Sequence, residues 1–151
     1  MSGKGIFTDT RYAKEEGSKK IGRYEAYLLD FEKRGECPFC PRNLVLKALK
    51  KEGGWRIFNR SWKGESTEMH FLIIGVEHKT NLGELFSSDW VSINSLVKWT
   101  VDEYNIRGGG LAVRFGDTDY SGATIGHLHF HLIVPKMGDD GLSRPVNFPI
   151  G

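Results

Sequence analysis

The chain has 151 residues, 39% of them hydrophobic and 26% charged, with a net charge of +2 at neutral pH. That length supports a core of ordinary size without disulfide help, and the composition excludes a disordered or low-complexity chain. So small a charge is no strong nucleic-acid signal, no run approaches the ~20 apolar residues of a membrane span, and Met1-Ser2-Gly3-Lys4-Gly5 leads into no apolar signal segment. A cytoplasmic protein with no membrane partner is expected.

In chain order the pattern is α+β. Residues 1–19 are polar and read as a lead-in or a short helix. Over residues 23–33, Tyr24, Tyr27, Leu28 and Phe31 recur at helical spacing, and Cys37-Pro38-Phe39-Cys40-Pro41 breaks that helix. Residues 1–35 therefore form a helical N-terminal extension of the same domain, and residues 36–151 its main body. Residues 44–49 and 55–62 read as strands joined by a Glu52-Gly53-Gly54 turn. Residues 69–76 are almost continuously apolar, as in a central strand buried on both faces. Ser87-Ser88-Asp89 opens the longest helix, where Trp90, Ile93, Val97, Val101 and Tyr104 recur every three or four residues and a Ser or Asp can cap free amides. Gly108-Gly109-Gly110 ends that helix, and strands at 111–115 and 127–134 complete the sheet.

Three of the five histidines fall at alternate positions of the last strand, His127-Leu128-His129-Phe130-His131-Leu132-Ile133. Successive strand side chains point to opposite faces, so the three imidazoles share a face at roughly 6.5–7 Å spacing along the strand. Leu128, Phe130 and Leu132 point into a core. Imidazole titrates near neutrality, attacks phosphorus through nitrogen and ligates metals, so the row marks a site.

The two cysteines, spaced Cys37-x-x-Cys40, suit metal binding or thiol redox work better than a structural disulfide. A redox pair should follow a strand and open a helix, whose N-terminus lowers the thiol pKa. Here the pair follows a charged helical segment and precedes Pro41. His78 and His127 are available to complete a tetrahedral Cys₂His₂ zinc site. Both readings stand on the residues alone.

The triad segment fits the signature of the histidine-triad family of nucleotide hydrolases and transferases at all seven positions, and Val134-Pro135 follows it. Gly122-Ala123-Thr124-Ile125-Gly126 resembles the family's small-residue run into the triad. Met69-His70-Phe71-Leu72-Ile73-Ile74, with His78 beyond, resembles its central strand and following histidine. The resemblance covers residues 37–136. It implies a mainly antiparallel sheet of about five strands with one long helix packed on it. It also implies structural zinc on Cys37, Cys40, His78 and His127, and a homodimer paired through the long helix and adjoining strand.

For catalysis the resemblance implies that His129 attacks the α-phosphorus of a nucleotide to give a covalent nucleotidyl-histidine. Two such displacements replace one difficult step, and an acceptor on Nδ1 would leave Nε2 as the attacking atom. His131 is placed to hydrogen-bond phosphate oxygens. Gly122 and Ala123 offer close backbone approach and exposed amides, and Thr124 a hydroxyl near the leaving oxygen. Two departures bear on substrate preference. Ala123 stands where many relatives carry Gln, and Arg114-Phe115-Gly116 stands near their Asn-x-Gly, with Arg114 either a phosphate contact or an ordinary ion-pair partner. Phe58 and Asn59 are the expected nucleobase contacts, and His70 reads as structural. The functional alternative is a zinc-stabilised nucleotide-binding protein with little turnover.

Overall fold

Tyr24, Leu28 and Phe31 set the first helix. In the computed structural model, which describes residues 4–11, 21–60 and 63–151, α1 spans Ile21–Arg34 and buries Leu28 and Phe31. Residues 14–20 of the polar lead-in and Trp62 lie outside the described residues. Gly35 turns left-handed at φ +63°, and the Glu36 amide donates to the Phe31 carbonyl at 3.1 Å, the usual way of closing a helix with a glycine.

Five strands follow: β1 (Lys50–Glu52), β2 (Trp55–Asn59), β3 (Thr67–Gly75), β4 (Gly110–Val113) and β5 (His129–Pro135). They lie in the order β1-β2-β3-β5-β4, antiparallel at every step. Phe58 stands opposite Leu72, Leu72 opposite His131, and Ile74 opposite His129. Alternation then divides the sheet. Phe58, His70, Leu72, Ile74, His129 and His131 share one face. Ile57, Phe71, Ile73, Phe130 and Leu132 occupy the other.

The second face is closed by α2 (Ser87–Glu103), whose Ile93 and Leu96 join Trp55, Ile57, Phe71, Ile73 and Phe130 in the larger core cluster. The first face carries a smaller cluster, in which Leu28 of α1 meets Cys37, Phe39, Phe58, Leu72, Ile74 and Ile125. Both faces of β3 are thus covered, which is why its sequence is apolar without alternation. The α+β fold read from the sequence is the one observed. No helix among the described residues is long and apolar enough to cross a membrane.

Four boundaries differ from expectation. Residues 44–49 form no strand: the Asn43 and Leu44 amides both bond to the Cys40 carbonyl, which curls the chain after the cysteines. Only the Leu49 amide reaches Ile57, at 2.8 Å, before the ladder proper starts at Lys50. Second, α2 is capped by Asp89 alone of the three candidates; its carboxylate accepts from the Phe86 amide at 2.8 Å and the Trp55 indole at 2.9 Å. Third, α2 stops at Glu103, with Asn105 left-handed at φ 51°, before the glycine run. Gly109 serves the sheet instead, since a Cβ there would sit 2.5 Å from the Ile133 carbonyl oxygen. Fourth, the triad strand begins at His129, leaving His127 in the preceding loop.

Candidate active site and metal centre

The cysteines follow the close of α1, His78 follows the end of β3, and His127 precedes β5. These four residues, remote in sequence, place one donor atom each within 4.8 Å of all the others. The His127 Nδ1 lies 3.4 Å from Cys37 Sγ, 3.8 Å from Cys40 Sγ and 3.2 Å from His78 Nδ1, and Cys40 Sγ is 3.5 Å from His78 Nδ1. A tetrahedral centre with bonds of about 2.0–2.1 Å to nitrogen and 2.3 Å to sulfur needs N···N near 3.3 Å and S···N near 3.6 Å. The observed spacings meet that requirement. On its other side His127 donates from Nε2 to the Gly75 carbonyl at 2.7 Å, so its Nδ1 lone pair faces the thiols. The departure of His127 from β5 is what turns it to this cluster.

Burial, with Cys40 alongside, pushes the Cys37 thiol up to about 12. A redox cysteine needs the opposite shift and a helix N-terminus behind it, and α1 ends before Cys37. A divalent cation would supply the charge that two adjacent thiolates, one of them buried, need.

His129 and His131 stand on the face of β5 away from α2, their ring centres 4.8 Å apart and tilted by 53°. The rings lean together, closer than the strand repeat alone would put them. His129 Nδ1 lies 2.7 Å from the His127 carbonyl, which can only accept, so Nδ1 carries the proton and Nε2 the lone pair. Burial holds His129 down to about 4 and His131 well below its ordinary value, and the Arg114 and Arg60 guanidiniums add repulsion against a protonated ring. Both rings are neutral at pH 7, the state a nitrogen nucleophile requires. Phe39 meets His129 edge-on at 4.9 Å, and Phe148 meets His131 at the same distance.

His70 does not serve a backbone group, as a structural histidine would. Its Nε2 is 2.9 Å from His131 Nδ1, and its Nδ1 is 3.3 Å from Arg60 Nη1. Burial and the Arg60 charge depress its pKa to about 3.

The small-residue run is built differently from expectation. α3 (Thr118–Ser121) ends on Gly122 at φ +70°, where a Cβ would come 2.8 Å from the Gly151 carbonyl oxygen. The Gly122 amide donates to Thr118 and the Ala123 amide to the Ser121 hydroxyl, at 3.0 and 3.3 Å, so these two do not form an exposed anion nest. Thr124 Oγ1 is 2.8 Å from the Tyr24 hydroxyl. The Arg114 Nε donates to the Pro149 carbonyl at 2.8 Å, and its guanidinium lies 3.9 Å from the centre of the Phe148 ring, the ring that also touches His131. Phe58 is 1% exposed, inside the smaller core cluster. Asn59 is exposed on the opposite face of the sheet, so the structure does not bring it to His129 and His131.

Sequence reasoning missed Arg60, Tyr24 and Phe148, and gave His70 the wrong partner. His70 did carry a signal, a titratable residue inside an otherwise apolar strand. The other three gave none, because each reaches the site only through tertiary contact.

No family model and no curated protein matches the sequence. Solved structures do match. A histidine-triad nucleotide-binding protein from Candida albicans is 21% identical, covering 77% of this chain and 85% of its own, with a TM-score of 0.57. A histidine-triad family hydrolase from Clostridium thermocellum is 25% identical over 68% of this chain and 93% of its own, with a TM-score of 0.52. A zinc-bound histidine-triad family protein from Mycobacterium smegmatis is 16% identical over 74% of this chain and 84% of its own, also at 0.52. The chain has the histidine-triad fold. The resemblance carried by its His-Leu-His-Phe-His-Leu-Ile segment holds at that level.

Proposed function

We propose that this protein is a nucleotide hydrolase or transferase that cleaves at the α-phosphate through a nucleotidyl intermediate on His129. The observation that supports this best is the His129 Nδ1 contact with the His127 carbonyl at 2.7 Å, which leaves Nε2 as a lone pair beside His131. In the first step the Nε2 lone pair forms a P–N bond, the bond from phosphorus to the leaving group breaks, and the leaving atom takes its electron pair and a proton from solvent. In the second, water or another acceptor forms a P–O bond and gives up its proton to solvent, the P–N bond breaks, and the pair returns to Nε2. His131 donates to a phosphate oxygen, the Thr124 hydroxyl faces the leaving atom, and Arg114 borders the phosphates. Nucleotide-binding and hydrolase relatives share the fold. Dinucleoside polyphosphates and nucleotide phosphoramidates are the substrates to try first, assayed with and without inorganic phosphate. Nucleoside monophosphate release with phosphate-independent rates identifies a hydrolase, and a nucleoside diphosphate formed from a phosphoramidate only when inorganic phosphate is added identifies phosphate as acceptor.

A second reading, a nucleotide-binding protein with little turnover, draws on the segment ending at Gly151, which lies against His131 and Gly122. Tight binding without product across the same panel would favour it.

The metal in this proposal is zinc, held by Cys37, Cys40, His78 and His127, where it ties the loop after α1 to β3 and to the entry of β5. The fit of the ligand spacings supports it, and so does a zinc-bound protein of the same fold. A homodimer is also proposed. Phe86 and Val91 are 72% and 65% exposed at the start of α2, and Leu111 is 46% exposed on the edge strand β4; apolar groups so placed suit a two-fold partner. Light scattering giving the mass of one chain, 17.1 kDa, would count against the dimer.

A further inference from the structure

Donor and acceptor counting along one buried row assigns a role to two residues outside the triad. Arg60 extends the β2–β3 ladder one residue beyond Asn59, its amide donating to the His70 carbonyl at 2.8 Å. Its side chain therefore lies next to the His70 ring, with Nη1 3.3 Å from Nδ1. A guanidinium has only donors and stays protonated at any working pH. His70 Nδ1 must accept, so a neutral His70 carries its proton on Nε2. That atom lies 2.9 Å from His131 Nδ1 and donates to it. His131 in turn must carry its proton on Nε2. This is the buried atom of His131 that has no partner among the described residues. The ring is 4% exposed and stands beside His129.

We infer that Arg60 and His70 are positioning residues that lock His131 as the Nε2–H tautomer, so that a hydrogen-bond donor and not a second lone pair stands beside the His129 nucleophile. The two rings are fixed from opposite directions: His129 by a carbonyl acceptor on its Nδ1, His131 by an N–H donor on its Nδ1. One is left with a lone pair and the other with a proton, which is the complementary pair that attack on phosphorus and support of a phosphate oxygen require. The mechanistic part rests on the function proposed above; the tautomer assignment does not.

Long-range ¹H–¹⁵N correlation spectra of the full-length, metal-loaded protein test it directly, because protonated and bare ring nitrogens differ widely in ¹⁵N shift. The expected result is Nε2–H on both His70 and His131, and Nδ1–H on His129. In Arg60→Met the lock is released, and the His131 signals should move toward a mixture of tautomers. Arg60→Lys, which keeps a donor-only side chain, should restore them. With a turnover substrate, Arg60→Met should slow adduct formation about ten- to a hundred-fold, less than full loss of an anion-stabilising donor, while melting within a few degrees of wild type. His131 protonated on Nδ1 in the wild type would overturn the inference, whether or not the variants fold. An unchanged His131 spectrum in folded Arg60→Met would also overturn it. If the tautomers are as stated but no nucleotide ever labels the protein, the proposed function fails and the positioning stands.

Discussion

The two faces of the sheet use the same strands for different ends. On the α2 side, Trp55, Ile57, Phe71, Ile73, Phe130 and Leu132 interlock with Ile93 and Leu96, with no titratable side chain among the buried members of the cluster. On the other side the same strands carry Arg60, His70, His129 and His131, and the cover is made of short pieces: α1, the cysteine turn, and the loops at 122–127 and 148–151. The larger apolar cluster lies where the sequence alternation is simplest, and the polar network sits on the face that needs several remote segments to enclose it. Burying neutral imidazoles costs little only if each ring nitrogen has a partner. The carbonyl of His127, the carbonyl of Gly75 and the guanidinium of Arg60 supply such partners to His129, His127 and His70, and Nε2 of His131 is the buried ring nitrogen left without one among the described residues.

Substitutions on the two faces should therefore separate activity from folding. The largest effect belongs to His129→Ala, which removes the attacking atom and should lower turnover by at least about 10⁴-fold with little change in melting temperature; a variant at near-normal rate would break the division. On the other face, Phe130→Ala should cost about 3–5 kcal/mol, lowering the melting temperature by very roughly 10 °C or more, while the folded fraction keeps its rate per active site. Chelation should come next. Because the metal joins three remote segments beside an existing core, its removal should lower the melting temperature more than the specific activity of protein that stays folded, and metal analysis should find one zinc per chain. Protein purified without added zinc that contains no metal would contradict the assignment.

The pH dependence of stability sharpens the same contrast. The pKa of His70 is lowered from 6.5 to about 3 by burial and by Arg60. Between those values the unfolded chain takes up a proton that the folded chain does not. His70's contribution is therefore fully present above pH 6.5 and is lost on acidification, at about 1.4 kcal/mol per pH unit. Denaturant melts from pH 7.5 to 4.5 should show a slope that is shallower by about that amount in His70→Gln. An identical slope would mean His70 is not held neutral in the fold.

Much of this was legible in the chain. The period-two alternation at Phe130 and Leu132 and the helical spacing at Ile93 and Leu96 report burial directly, so the α2 face followed from pattern. The cluster of Cys37, Cys40, His78 and His127 was also readable, because Cys-x-x-Cys and the two histidines are chemically distinctive residues. Other features were hidden for physical reasons. A two-residue shift in where β5 starts decides whether His127 joins the triad row or turns to the cysteines, and strand ends are set by tertiary hydrogen bonds such as Leu128 N–H to the Lys79 carbonyl. Phe58 read as a base contact because an aromatic on a strand has the same signature whether it faces a ligand or a core. Arg60 gave no signal at all, since its meaning lies in a cross-strand neighbour.

The central claim is that His129 Nε2 forms a covalent bond to phosphorus. Wild-type protein mixed with a turnover substrate labelled at the α-phosphate, quenched within one turnover at alkaline pH to preserve P–N bonds, and mapped by mass spectrometry tests it most directly. A nucleotidyl mass addition is expected on the peptide containing His129, absent from His129→Ala and still formed, more slowly, in His131→Ala. Full product formation with no labelled peptide, or a label that persists in His129→Ala, would contradict it.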